Sequence, residues 1–300
     1  MPPLIYHASY SQLALPSQHR FPTSKYQRLY RFLLEHKLAD KDDFHTPSSV
    51  DIEFLKQIHC PDYVAQFLTK KLSPQAIRRL GFPLSDGLLT RSLHSVSGTM
   101  LACDLAMSQG IALQLSGGYH HAHYHFGSGY CVFNDLIAGA VHSLARSDVD
   151  KVLIFDCDVH QGDGTATMAQ AYPDIISCSV HCQENFPARK QRSDHDIELE
   201  RGSGDALYLE TITQTLALVI RLHQPDLIIY DTGVDVHQQD DLGHLALSTQ
   251  GIFERDLLVL SMAKALNIPI ACVIGGGYSK QPLELSKRHA QVFIAANKLW

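Results

Sequence analysis

Apolar and polar residues follow one another along this chain in blocks that predict helices and strands in regular succession. From Ser92, the segment SLHSVSGTMLACDLAMSQG has the apolar spacing of a helix that ends at Gly110, and the apolar segment that begins at Ile111 follows it as a strand. The same order repeats toward the C terminus, with predicted strands at 151–157, 175–181, 226–231 and 268–276 and a last helix at about 281–299. Because strands that alternate with helices form parallel sheets, the pattern predicts a three-layer αβα fold around a central, mostly parallel sheet.

The first ninety residues carry a weaker pattern. Residues 4–7 are a short strand candidate, and apolar residues at helical spacing predict a surface helix that begins near Thr23. A second helical region covers residues 51–68, with an interruption at Pro61. The mixed segment 74–90 is interpreted as a lid or a rim loop. No linker or internal repeat divides the chain, so residues 1–300 are expected to form one catalytic domain.

Polar clusters follow the predicted strands from residue 111 onward. They are GGYHHAH at 117–123, DCDVHQGD at 156–163, HCQENFP at 181–187, DTGVDVH at 231–237 and GGGY at 275–278. In an open α/β sheet, ligands bind beyond the carboxyl ends of the strands. We therefore expect these five clusters to meet at one edge of the sheet.

The central cluster follows an apolar run that ends at Phe155 and is typical of a strand buried on both faces. Asp156, Asp158 and His160 come next at alternate positions, which point to the same face on an extended chain. The pattern therefore predicts three convergent ligand-type side chains. The alternative is a strand end followed by an ordinary polar turn.

A catalytic zinc site has three protein ligands of the His or carboxylate type and leaves one position open for water. Asp158, His160 and Asp235 can supply these ligands, and their two carboxylates balance the charge of the dication. Zinc lowers the pKa of bound water, so that it becomes a nucleophile near neutral pH. The sequence therefore indicates metal-assisted hydrolysis.

Hydrolysis also needs groups that move protons. His120 and His121 follow a Gly-Gly turn and can serve as base and acid if a carboxylate orients each of them, and Asp156 and Asp163 are available for this. Tyr278 ends the GGGY segment, where its phenol can donate to a developing oxyanion. A lone GGGY is also compatible with an ordinary turn that carries a surface tyrosine.

Composition narrows the possible partners. The net charge is −6, and the chain has no basic block, no aromatic-basic interleaving and no long apolar run, which argues against direct binding to nucleic acid or membranes. Seven scattered cysteines without a C-x-x-C pair are typical of a reduced, cytoplasmic protein, and no export signal is expected. Eighteen histidines are unusual, and four of them lie between His120 and His125.

Taken in order, the motifs GGYHHA, FDCDVHQGDG, GVD and GGGY resemble those of the zinc-dependent histone deacetylase family, which is related to acetylpolyamine amidohydrolases and acetoin utilisation proteins. The likeness extends over nearly all of the chain. Flanking segments such as HRFPTSKYQRL, SVHCQENFPARK and GGGYSK look most like the class IV branch and its bacterial relatives. The resemblance implies an arginase/deacetylase fold and hydrolysis of an acylated amine, typically the side chain of acyl-lysine.

The resemblance also assigns roles by motif position. It implies Asp158, His160 and Asp235 as zinc ligands, His120 and His121 as the general base and acid pair backed by Asp156 and Asp163, and Tyr278 as the oxyanion donor. It places Gly129, Tyr130, Phe186 and Gly276 along a narrow channel for the acyl-lysine stem. It further implies a structural potassium ion, with Asp156, His160 and Ser179 as candidate participants.

Three positions depart from the family pattern, since relatives often have Asn at 231, Asn at 163 and Phe at 130. None of these removes a ligand, but the extra acid Asp231 leaves both Zn²⁺ and Fe²⁺ open as the metal. A binuclear manganese ureohydrolase is disfavoured because Gly162 and Gly233 stand where its further acids would be needed. The remaining alternatives are an amidohydrolase of acetylpolyamines or other small acylated amines, and a non-catalytic acyl-lysine-binding module.

Overall fold

Eight strands form one sheet in which every neighbouring pair is parallel. The computed structural model describes residues 1–300. The strands are β1 Leu4–Ile5, β2 Phe44–His45, β3 Ile111–Gln114, β4 Val152–Asp156, β5 Ile175–Cys182, β6 His195–Leu199, β7 Leu227–Asp231 and β8 Ile270–Val273, in the spatial order β2-β1-β3-β8-β7-β4-β5-β6. The predicted α/β fold is confirmed, and the sheet is wholly parallel.

Ten α-helices connect and cover these strands. They are α1 Lys25–Glu35, α2 Ile52–Ile58, α3 Pro61–Leu68, α4 Pro74–Leu80, α5 Asp86–Gln109, α6 Asp135–Leu144, α7 Asp163–Ala169, α8 Asp205–His223, α9 Thr249–Ala265 and α10 Pro282–Leu299. The break expected at Pro61 is present, since Pro61 is the first residue of α3. None of these helices combines the length and the apolar character needed to cross a membrane.

The interpretation of residues 74–90 as a loop is wrong. Ser73 accepts a hydrogen bond from the backbone N–H of Ala76 and caps α4, and Ser85 caps α5 in the same way. Helix α5 therefore begins at Asp86, six residues before the expected start. Each helix begins with a serine cap, and this local signal outweighs the mixed polar and apolar composition.

Helices pack on both faces of the sheet because the strand residues alternate between two apolar cores. Ile154 and Ile229 face the smaller core, which the C-terminal half of α5 and helices α6 and α7 cover. Phe155 and Tyr230 face the larger core, to which α1, α8, α9 and α10 contribute. Strands buried on both sides carry no alternation of polar and apolar residues, which explains why their apolar runs are continuous.

All strands point the same way, so their carboxyl ends share one edge of the sheet. The five polar clusters follow β3, β4, β5, β7 and β8 and lie along this edge, as expected. The site therefore sits where loops from neighbouring strands meet above a rigid, buried support.

Candidate active site

Asp158, His160 and Asp235 form a buried cluster at this edge. Their potential ligand atoms all lie within 4.8 Å of one another. His160 Nδ1 is 2.9 Å from Asp158 Oδ1 and 3.2 Å from Asp235 Oδ2. The sequence predicted these three residues as a ligand set, and the structure brings them together.

The cluster fits a divalent cation. Oδ2 of Asp235 is fully buried without a hydrogen-bond partner, and burial together with Asp158 raises the pKa of Asp235 to about 6. Burial lowers the pKa of His160, but the hydrogen bond to Asp158 and the nearby carboxylate of Asp235 outweigh burial and raise it to about 10. Two crowded carboxylates and one imidazole are a donor set that zinc and similar metals take.

The alternation argument is wrong for Asp156. Strand β4 ends at this residue, and its Oδ1 accepts the backbone N–H of Asp158 at 3.0 Å. The chain then turns, because the N–H of His160 donates to Asp158 Oδ1 in the same manner. Asp158 and His160 therefore face Asp235, whereas Asp156 faces His120.

Each histidine of the adjacent pair is held by a carboxylate. His120 Nδ1 lies 2.7 Å from Asp156 Oδ2, and His121 Nδ1 lies 2.6 Å from Asp163 Oδ1. Because Nδ1 of each ring is engaged, Nε2 is left for chemistry, and His120 Nε2 is 3.8 Å from Asp158 Oδ1. The structure thus brings both predicted histidines and both predicted orienting acids together.

The two histidines differ in proton affinity. Burial lowers the pKa of His120, but the carboxylates of Asp156 and Asp158 outweigh it and raise that pKa well above its ordinary value. Burial and the neighbouring charge of His120 lower the pKa of His121 to about 4. One ring of the pair therefore holds a proton far more readily than the other.

Asp231 lies behind this pair. Its ligand atom falls within 4.8 Å of those of His120 and Asp156, but His120 Nδ1 is already bonded to Asp156. Neither carboxyl oxygen of Asp231 has a hydrogen-bond partner, and burial and Asp156 raise the pKa of Asp231 well above its ordinary value. The site therefore favours the uncharged form of this carboxyl.

A cavity of about 570 Å³ opens over the cluster. Its lining includes the four residues expected to form the channel, namely Gly129, Tyr130, Phe186 and Gly276, together with Tyr278, His120 and His121. The Phe186 ring is 46% exposed at the mouth and packs edge-on against His121, with 4.8 Å between ring centroids. Tyr130 lies across the cavity, with its centroid 6.2 Å from that of Tyr278.

Tyr278 is buried beside the cluster rather than on the surface. Burial, and then the carboxylates of Asp158 and Asp235, raise the pKa of its phenol well above the ordinary value. The phenol therefore stays protonated and can donate a hydrogen bond into the cavity. The reading of GGGY as a turn with a surface tyrosine is wrong, since the side chain lines the cavity.

A family model described as the histone deacetylase domain matches residues 19–293. The chain belongs to the histone deacetylase family. It is 41% identical over 298 residues to an uncharacterized protein of Picosynechococcus sp., covering 99% of both chains. It is 28% identical to histone deacetylase 2 of Arabidopsis thaliana, over 92% of this chain and 74% of that protein, and 27% identical to the acetoin utilization protein AcuC of Staphylococcus aureus, over 92% and 76%.

Two of the three residues expected near a potassium ion are neighbours in the sheet. Asp156 and Ser179 are register partners on the adjacent strands β4 and β5. Both side chains are buried, and Ser179 Oγ lies 3.0 Å from His181 Nδ1. His160 follows four residues after the strand end, so all three remain candidates for that site.

Sequence reasoning missed Lys25, which is buried at the inner end of the cavity. Its Nζ donates to the carbonyl of Gly275 at 2.8 Å, and burial lowers its pKa to about 8. The signal was available, because Lys25 shares a helical face with Leu29 and Leu33, both of which are apolar and buried. A lysine on the apolar face of a helix is therefore a sequence signal for a buried polar contact.

Sequence reasoning also missed Asp240. One of its oxygens accepts the backbone N–H of Tyr278 at 2.7 Å, and the other accepts those of Leu242 and Gly243. Asp240 thereby ties the loop after Asp235 to the segment that carries the tyrosine. No local pattern distinguishes this acid from its exposed neighbour Asp241, so only the fold could identify it.

Proposed function

We propose that this protein is a metal-dependent amidohydrolase that removes acetyl or longer acyl groups from lysine side chains. One observation carries the proposal: a buried ligand cluster, two carboxylate-held histidines and a protonated tyrosine surround one end of a single cavity. Each alone has ordinary structural explanations. Their convergence supplies the nucleophile, proton transfer and oxyanion stabilisation that amide hydrolysis needs.

Asp158, His160 and Asp235 would hold the metal, and we propose zinc because its preferred ligands match this set. When bound, such an ion supplies Lewis-acid chemistry, which acidifies water and polarises a carbonyl. The family resemblance adds a potassium ion near Asp156 and Ser179, which would have a structural role.

The protein side chains then move the protons. In hydrolysis, water oxygen forms a bond to the acyl carbon, the C–N bond breaks, and the products are a carboxylate and a free amine. Nε2 of one histidine of the His120–His121 pair accepts the proton from water, and Nε2 of the other donates a proton to the leaving nitrogen. Asp156 and Asp163 hold the rings in position throughout, and the Tyr278 phenol donates to the oxyanion.

Aromatic walls suit the substrate that we propose. Tyr130 and Phe186 flank the cavity, and an acylated lysine presents an aliphatic stem without charge to such walls. On the motifs quoted above, we place the chain nearest to class IV of the family. We further propose that residues 1–300 act as one catalytic domain in the cytoplasm.

The test is a hydrolysis panel on the zinc-loaded enzyme, with an acetyl-lysine peptide, a myristoyl-lysine peptide and acetylputrescine, each with and without chelator. We expect turnover of at least one lysine peptide that chelator abolishes. Tyr278→Phe should retain bound metal and lose roughly 100-fold or more in kcat, the usual effect of removing one oxyanion donor. Turnover of acetylputrescine alone would change the proposed substrate from acyl-lysine to a small acylated amine. A zinc-loaded enzyme that hydrolyses none of the three compounds would overturn the proposal.

A further inference from the structure

Arginines lie along one side of the cavity mouth. Arg78 and Arg79, in the last turn of α4, both line the cavity and both are exposed. Arg20 is also exposed, and it directly follows His19, whose ring bonds to the carbonyl of Gly81 at 2.8 Å and packs against Tyr130 with 5.5 Å between ring centroids. We call Arg20, Arg78 and Arg79 the mouth arginines.

The mouth arginines have no acidic partner. The arginine ion pairs in this chain are those of Arg146, Arg201 and Arg255. The Arg79 guanidinium instead lies 4.2 Å from the centroid of the Phe126 ring, which holds it in place without neutralising it. Asp62 shares a neighbouring cavity of about 290 Å³ with Arg79 but forms no salt bridge with it.

The lining of the mouth offers no unpaired carboxylate to balance the mouth arginines. Glu184 is the one acidic residue at the rim of the cavity, and its Oε2 lies 3.0 Å from Nε of Arg201. Arg201 also contacts the ring of His244, which lines the cavity as well. The mouth is therefore cationic, although the whole chain has a net charge of −6.

Helix geometry alone does not explain this charge. Basic residues in a last turn stabilise a helix through its dipole, and Arg78 and Arg79 have this effect on α4. That effect does not depend on the cavity, whereas both residues belong to its lining and neither forms an ion pair. Arg20 belongs to no helix, and the bond from its neighbour His19 to Gly81 brings it to the end of α4.

We propose that the mouth arginines select acyl-lysines that are flanked by acidic residues in the substrate sequence. This inference rests on the proposed function. Acylation removes the charge of the lysine itself, so the residues on either side of it determine the electrostatic fit at the mouth. Carboxylates there meet unpaired guanidiniums, whereas lysine or arginine neighbours meet like charge. The same mouth disfavours small acylated amines that keep a positive charge.

The test compares two acetyl-lysine peptides that differ only in their neighbours, four Asp or Glu in one and four Lys or Arg in the other. Each exposed ion pair contributes little by itself, but three together should give roughly a ten-fold higher kcat/KM for the acidic peptide at low salt. The ratio should shrink in 0.5 M salt, where the screening length falls to roughly 4 Å. The dissociation constants of both peptides are also measured with Tyr278→Phe, because this variant should bind the peptides without hydrolysing them.

Matched variants locate the effect. Arg78→Glu with Arg79→Glu should abolish or reverse the preference in both assays. Arg221→Glu is the control, because Arg221 is exposed in the last turn of α8, which leads into the opposite edge of the sheet. Arg221→Glu also makes the net charge more negative, but it should retain the preference for the acidic peptide.

The outcomes separate the two proposals. Turnover of both peptides at equal kcat/KM, or an unchanged preference in the double variant, would overturn the cationic-mouth inference and leave the proposed function standing. If the wild type binds the acidic peptide preferentially but does not turn it over, the cationic-mouth inference stands and the proposed hydrolytic function is overturned. Equal affinities without turnover would overturn both.

Discussion

Gly276→Ala is expected to abolish metal binding while leaving the fold intact. A Cβ at this position would lie 2.1 Å from Asp235 Oδ2 and 2.3 Å from Asp158 Oδ2. Real Cβ atoms do not approach other atoms closer than 3.0 Å, so both carboxylates would have to move by about 0.7–0.9 Å. Metal sites tolerate roughly 0.2 Å in ligand distance, and this displacement is several times larger.

The expected loss of metal affinity follows from that displacement. Changes to residues that only support a metal ligand lower metal affinity by about 10–100-fold. A direct displacement of two ligands should therefore lower it by roughly 100-fold or more. At a metal concentration 100 times its Kd, the wild type gains about 2.7 kcal/mol in the free energy of unfolding, or roughly 5 °C in Tm. Gly276→Ala should lose this gain.

Affinity is measured by competition with a chromophoric chelator, and stability by thermal unfolding with and without zinc. Gly204→Ala is the control, because its added Cβ meets only the carbonyl of Ala246, at 3.8 Å. Circular dichroism should show the same helical content for both variants. Zinc bound by Gly276→Ala with the affinity of the wild type would refute the assignment of Asp158 and Asp235 as ligands.

Three further changes test the support of the site. His59 donates a hydrogen bond to a backbone carbonyl and accepts one from a backbone N–H, and burial lowers its pKa to about 4. The free energy of unfolding should therefore fall by about 3 kcal/mol as the pH drops from 6.5 to 4. In His59→Gln, urea unfolding at a series of pH values should show a free energy of unfolding that lacks this dependence on pH. Gly81→Ala adds a Cβ 2.8 Å from the Tyr130 ring at φ +83°, so urea unfolding should show a loss of about 1–3 kcal/mol and the peptide KM should rise. Asp231→Asn removes a buried acid without hydrogen-bond partners, so Tm should not fall, and a drop of several degrees would contradict the uncharged carboxyl.

The sign of the His59 prediction follows from which state takes up the proton. Unfolded His59 is protonated below pH 6.5, whereas the folded ring stays neutral to about pH 4. The unfolded state therefore binds more protons between these values, and stability rises with pH across that window. A steeper slope in the variant than in the wild type would contradict this reasoning.

The parts of the fold that the sequence predicts are those with local causes. Apolar runs, helical spacing and glycine caps are all local, so the order from α5 to α10, apart from α7 and β6, and the position of the five polar clusters were predictable. Helix α7 was missed because its first residue, Asp163, belongs to the polar cluster after β4. Strand β6 was missed because it is an edge strand with the polar sequence HDIEL and little burial. Strand β2 has two residues and pairs only with β1, which lies far away in sequence.

The site was predictable to the same extent. Ligand-type residues stand in short motifs, and the fold brings the expected ones together. What failed was the reason given for Asp156, since backbone N–H groups beyond the strand bond to the carboxylates and turn the chain. Asp240 matters through a bond to Tyr278, 38 residues away, which has no signature in the local sequence. Lys25 stands on the apolar face of α1, which marks it as buried, but the local sequence does not identify its partner 250 residues away.

The location of these acids also explains why stability and metal occupancy should be linked. Buried charges are destabilising unless they are paired, and breaking a buried pair costs about 3–5 kcal/mol. Asp158 and Asp235 lie within the buried edge of the sheet, with the one imidazole of His160 between them. A cation that these residues hold would neutralise both carboxylates in the folded state and stabilise only that state. Thermal unfolding therefore tests the ligand assignment without any choice of substrate, which keeps the evidence for the metal centre independent of the evidence for the reaction.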